Sequence, residues 1–136
     1  MFQLSTKTHY GVTALIDLAN AHEKHLVQIK ELVEKHEIPK SYLEQIFNRL
    51  TKLGVIKSVR GNRGGYKLGQ DPETLTLLEI CEMLEGPLEI EHEKGAQSLN
   101  TIFRDIEVCT RENLSISLAA LAARERSMTQ DVMYYI

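Results

Sequence analysis

The chain has 136 residues, 43% hydrophobic and 26% charged, with 16 Lys/Arg against 19 Asp/Glu for a net charge of -3. That balance fits one globular domain, and with neither an apolar run of spanning length nor a signal-peptide start, a cytoplasmic protein is expected rather than a membrane or secreted one. Its two cysteines, Cys81 and Cys109, make neither a disulfide framework nor a self-contained zinc site.

Ser5 is placed to cap a first helix whose Val12, Leu15, Ile16 and Ala19 follow the spacing of one buried face. That helix is expected to fray around His22 to His25. A short helix follows, with Ile29, Leu32 and Val33 inward and Glu31/Lys35 paired on the outside at i, i+4. Pro39 breaks it by pushing its predecessor out of the helical region. The third helix buries Leu43, Ile46, Phe47 and Leu50. Its start is marked both by Pro39 and by a Ser41/Glu44 capping box, which cannot define the same first turn. Gly54 ends it.

Val55–Arg60 and Tyr66–Leu68 read as a hairpin around a glycine- and arginine-rich tip, Gly61 to Gly65. Asp71-Pro72 is a turn. Thr76/Glu79 forms a second capping box, opening a helix through Leu77, Leu78, Ile80, Cys81 and Leu84 that Gly86-Pro87 closes. Residues 88–97 are acidic, lack a period, and read as a loop. A longer helix begins near Ser98, with Leu99, Ile102, Ile106 and Cys109 in a helix-pairing seam and Phe103 beside it; Asn113 interrupts it. Ser117–Arg124 reads as a small capped terminal helix, and the tail beyond has no assignment.

Charge is distributed unevenly along this order. Residues 1–70 hold 11 Lys/Arg against 6 Asp/Glu, net +5, while 71–136 hold 5 against 13, net -8. From Lys40 to Lys67 there are seven Lys/Arg and one acid, Glu44. A phosphate polymer rewards such a concentration, because each neutralised phosphate releases counterions. Helix, short helix, turn, helix and β-hairpin is the winged helix-turn-helix order. The fold expected is therefore mainly α with a small β-hairpin wing and a long C-terminal helix. On that reading Ser41, Glu44, Gln45, Asn48, Arg49 and Lys52 face a major groove. There Gln and Asn suit adenine, Arg suits guanine, and Glu can accept from cytosine N4. Arg60 and Arg63 suit phosphates or a narrow minor groove.

The segments LSTKTHYGVTALIDLA, SYLEQIFNRLTKLGVIKSVRGNRGGYKLG and IFRDIEVCTRENLSISLAAL resemble the Rrf-type family of bacterial winged-helix regulators, the group of IscR, NsrR and CymR. The resemblance spans roughly residues 3–121. It implies a homodimer built on the long helix through Leu99, Ile102, Phe103, Ile106 and Cys109, bound to a palindromic operator in double-stranded DNA. It also implies that Ser41, Tyr42, Glu44 and Gln45 approach bases and that Arg60 enters the minor groove, with Lys40 and Pro39 opening the recognition helix. The expected division is a DNA-binding domain over 1–70, a linking helix and effector-region loop over 71–97, and a dimerisation helix with tail over 98–136.

One departure from the family bears on the signal. Cluster-binding members carry closely spaced cysteines between the fourth helix and the dimer helix, whereas the window 87–100 reads PLEIEHEKGAQSLN. No 2Fe–2S site of the usual kind is expected there, and no cofactor. The expected regulator is a repressor answering to a partner protein, a small molecule or a thiol. A redox-sensing regulator with an atypical cluster from His9, Cys81 and Cys109 of both subunits is one alternative. A winged-helix interaction module that binds a metabolic enzyme is another. Taken singly, Cys81 and Cys109 read as small buried hydrophobes. His22/His25 and Glu91-His92-Glu93 read as solvated surface. Gly61 to Gly65 lacks the Gly-Lys-Ser/Thr ending of a nucleotide loop. No arrangement suggests catalysis, so the chain is not expected to be an enzyme.

Overall fold

The computed structural model describes residues 2–90 and 94–134, with side chains described as far as residue 130. The Glu91-His92-Glu93 run and part of the expected 88–97 loop lie outside the described residues. The elements in order are α1 (Thr6–Asn20), α2 (Ile29–His36), α3 (Lys40–Lys52), β1 (Ile56–Val59), β2 (Gly65–Leu68), α4 (Leu77–Glu85), α5 (Gln97–Asn113) and α6 (Leu118–Tyr134). The mainly helical order with a two-stranded antiparallel wing is the one the sequence implies.

Ser5 caps α1 as expected, its hydroxyl accepting from the Thr8 N–H at 3.4 Å. Of the expected face Leu15 is fully buried and Val12, Ile16 and Ala19 pack partly buried against the core, but the buried line is centred by rotation on Thr8, Gly11, Ala14, Leu15 and Leu18. Two small residues explain the rotation. A Cβ at Gly11 would stand 3.0 Å from Leu84 Cδ1 and 3.3 Å from Ile46 Cγ2, so α1 approaches α3 and α4 where it has least bulk. α1 stops at Asn20, before the predicted fraying point.

α2 turns into α3 through Glu37, which takes the left-handed conformation at φ 55°. The expected Glu31/Lys35 pair is not made; Lys35 Nζ lies 3.3 Å from Asp17 of α1, and His36 Nε2 bonds the same carboxylate at 2.7 Å. Pro39 is the N-cap of α3. Ser41 therefore sits inside the first turn and makes no capping bond, which settles the two competing starts. Leu43, Ile46, Phe47 and Leu50 are fully buried and join Leu15, Leu32, Ile56, Ile80 and Leu118 in a single core.

Thr76 caps α4 by accepting from the Glu79 N–H at 3.1 Å, and Gly86 closes that helix at φ 100°. The α5–α6 connection folds back along the start of α4, with Leu77 N–H donating to Ile116 O and Leu118 N–H to Leu75 O. Ser117 caps α6 through the Ala120 N–H at 3.0 Å. α6 then runs against α1 and extends to Tyr134, well past the expected end at Arg124.

Candidate nucleic-acid interface

The periodicity that buries four residues of α3 leaves the opposite face uncovered. Lys40, Ser41, Tyr42, Glu44, Gln45, Asn48, Arg49 and Lys52 are all exposed along it. Tyr42 is positioned by Tyr10 of α1, whose ring meets it edge-on with centroids 5.9 Å apart. Lys40 Nζ lies 3.8 Å from the Glu44 carboxylate one turn on, a weak surface pair that water and salt screen. Ser41, Gln45 and Asn48 make no side-chain hydrogen bond among the described residues. Arg49 differs from its neighbours. Its Nη2 donates to Met83 O at 2.9 Å, near the carbonyl-rich end of α4, where a cation is favoured.

The wing is joined to this helix from below. β1 and β2 pair antiparallel in the register Ile56↔Leu68, Lys57↔Lys67, Ser58↔Tyr66 and Val59↔Gly65. Tyr66 packs its ring edge-on against Phe47 of α3, centroids 4.8 Å apart. Val27 forms an isolated bridge to β2, exchanging both backbone bonds with Tyr66 at 3.0 and 2.8 Å, and Gln28 donates to Gly64 O at 3.2 Å. At Gly64 a Cβ would stand 2.2 Å from Val59 O, and at Gly65 it would stand 2.9 Å from Val27 O. Only glycine fits these two positions. Arg60 and Arg63 are exposed at the tip, and neither takes part in an ion pair or side-chain hydrogen bond among the described residues.

Below the reading head, α5 has no buried residue. Leu99, Ile102 and Ile106 are 46%, 56% and 48% exposed, with Phe103 half-buried. Cys109, expected to be buried, is exposed on the same uncovered face, whereas Cys81 is buried in α4. Val108, 49% exposed, lies about half a turn away and is not part of the expected seam. A cavity of about 920 Å³ runs between α1, α4 and α6, with His9, Val12, Ile16, Cys81, Leu114 and Leu121 among its walls. The sequence carries no sign of it, because its pattern implies only a short α6. Nor does it mark Tyr10, Val27 and Gln28, which hold Tyr42 and the wing; their contacts join segments far apart in the chain.

A polar, partly cationic helix face beside an arginine-tipped hairpin defines a winged helix-turn-helix protein of the kind that reads duplex DNA. Residues 4–130 match the Rrf2 family, described as "Iron-dependent Transcriptional regulator". The transcriptional regulator CymR of Bacillus subtilis is 33% identical, the alignment covering 98% of this chain and 99% of that protein. The solved structure of the same B. subtilis regulator superposes with a TM-score of 0.85 at 34% identity, covering 91% of this chain and 98% of that one. The structure of T. potens IscR gives 0.77 at 33% identity, over 90% and 88%. The chain belongs to the Rrf2 family and is a DNA-binding transcriptional regulator; its relatives are regulators, not enzymes.

The family description implies iron, and the residues of one chain do not fit it. Residues 87–100 contain no cysteine. Burial pushes the pKa of the Cys81 thiol up, and the Glu85 and Glu82 carboxylates push it further, which disfavours the thiolate that a metal binds. His9 and Cys81 share the cavity wall, but Cys109 does not line it. Among the described residues no three His, Cys, Asp or Glu side chains gather as a metal site.

Proposed function

We propose that the protein is a cytoplasmic homodimeric repressor that binds a palindromic operator, each subunit placing α3 in one of two successive major grooves. The observation that carries this reading is the uncovered polar face of α3 beside a wing tip whose two arginines have no internal partner among the described residues. In this reading Ser41, Tyr42, Glu44, Gln45 and Asn48 address base edges, Lys40 approaches the backbone, and Arg60 and Arg63 occupy the flanking minor groove. Arg49 holds Met83 O through Nη2, and its remaining N–H donors, on an exposed side chain, are available to the DNA. Leu99, Ile102, Phe103, Ile106 and Cys109 of α5 supply the pairing face, because an apolar stripe on a helix with no buried residue has nothing to cover it among the described residues. A partner protein, small molecule or thiol that alters the α4–α5 region changes the spacing of the reading heads, and so the affinity.

Genomic-fragment selection followed by titration over a range of salt tests the reading. The wild-type protein is expected to select a two-fold symmetric site. Arg60→Gln/Arg63→Gln is expected to weaken binding, with a log–log salt slope shallower by about 0.9 for each phosphate that is no longer neutralised. A variant with unchanged affinity and slope would show that the wing tip does not touch DNA.

A further inference from the structure

The register of the wing sets Lys57 directly opposite Lys67. Residues facing each other across an antiparallel pair have Cβ atoms about 5 Å apart, and like charges there destabilise the hairpin. Alternation fixes which face they share. Ile56 and Leu68 are buried and Tyr66 contacts Phe47, so Lys57 and Lys67 occupy the outer face, where both are exposed. Neither has a counter-ion: the ion pairs among the described residues are His22–Glu23, Lys35–Asp17, His36–Asp17 and Lys40–Glu44. Nor is an acid close in sequence, since none occurs between Glu44 and Asp71. The Cγ of Lys57 lies 3.3 Å from where a Cβ at Gly69 would stand, which puts the root of its side chain beside Gly69. A merely solvated surface gains nothing from two facing cations, whereas a polyanion laid along the hairpin gains from both.

We propose that Lys57 and Lys67 form a second phosphate-binding ridge, which grips the backbone of duplex DNA flanking each half-site, beyond the groove addressed by Arg60 and Arg63. The occupant is the same duplex continued outward, because the ridge is continuous with the cationic wing tip and shares its charge. This rests on the operator-binding reading above. The ridge carries no sequence preference; it sets how much flanking duplex the protein engages.

The test compares two duplexes around the site that the wild-type protein selects. One stops at the half-sites, and the other extends about one helical turn (10 bp) on each side. Wild-type protein is expected to bind the longer duplex more tightly at low salt. Lys57→Gln/Lys67→Gln is expected to lose that gain and to match wild type on the shorter duplex. On the longer duplex its salt slope is expected to be shallower by about 0.9 for each phosphate the two lysines neutralise in the wild type. The variant is also expected to unfold at the same or a higher temperature than wild type, since it relieves a repulsion, so a folding defect is told apart from a weaker grip on the flanks. Equal gains from the flanks for both proteins would overturn the ridge while leaving operator binding intact. Wild-type protein that selects no site at all would overturn the operator reading, and the ridge with it.

Discussion

Glu85, at the end of α4, accepts hydrogen bonds from the hydroxyls of both Ser5 and Thr8 at the start of α1. Burial acts to raise its pKa, but those two hydroxyls, the Ser5 backbone and nearby Lys7 together bring it below the ordinary carboxylate value. A carboxylate whose pKa is lower folded than unfolded contributes stability that is complete above the unfolded value. That contribution is lost as pH falls through the folded one. The clamp between α1 and α4 is therefore expected to weaken in the acid range. Glu85→Gln, neutral throughout, is expected to lower stability near neutral pH and to flatten this part of the profile. Denaturant unfolding of both proteins from neutral to acid pH checks it; parallel curves would show that the charge at Glu85 contributes nothing. The same contact illustrates what sequence conceals at this scale. Ser5 is readable as a cap from its type and place, but the carboxylate that shares its hydroxyl comes from another helix, and no local pattern encodes that meeting.

Among the elements, α3, α4 and the wing are legible in the sequence because periodicity, turn chemistry and capping agree there. Leu43, Ile46, Phe47 and Leu50 repeat at helical spacing, Thr76 stands three residues before Glu79, and glycines bracket the tip. α1 is legible as a helix but not in its rotation, since Gly11 and Ala14 matter through their smallness. α6 is longer than its pattern implies for a different reason. Leu118 and Ala122 bury its first turns, while beyond them the helix continues through exposed Ala, Arg, Glu and Met, whose propensity is high but whose periodicity is silent. The wing also carries the sharpest expectation at this scale. Gly64→Ala would place a Cβ 2.2 Å from Val59 O, a backbone atom that cannot move without opening the hairpin. The tip supplies no core residue, and the wing's own core members Ile56 and Leu68 pair at the far end of the strands, so the variant is expected to stay folded with about 1–3 kcal/mol less stability. It is also expected to lose operator affinity, as Arg60 and Arg63 are displaced. Thermal unfolding together with operator titration checks both, and wild-type values in the two assays would show that the tip tolerates the methyl group.

At the scale of the whole molecule, the two halves differ in charge and in what they leave uncovered. The cationic half exposes polar side chains on α3 and the wing, and the acidic half exposes an apolar stripe on α5. Seventeen residues of helix span about 25 Å, enough for a pairing seam but with no buried residue in this chain to hold it. The stripe and the reading head make one functional unit only if α5 sets the distance between two copies of α3. Ile102→Glu/Ile106→Glu places charges in the middle of the proposed seam, and Val108→Glu places one about half a turn away. Because α5 contributes nothing to the core, all these variants are expected to keep wild-type helical content. Light scattering is expected to give a monomer for the double variant and a dimer for Val108→Glu. The monomer is expected to retain weak binding to a single half-site while losing the gain that linking two half-sites provides, which effective-concentration arguments put at about 10²-fold or more. A double variant that remains dimeric would move the interface off α5.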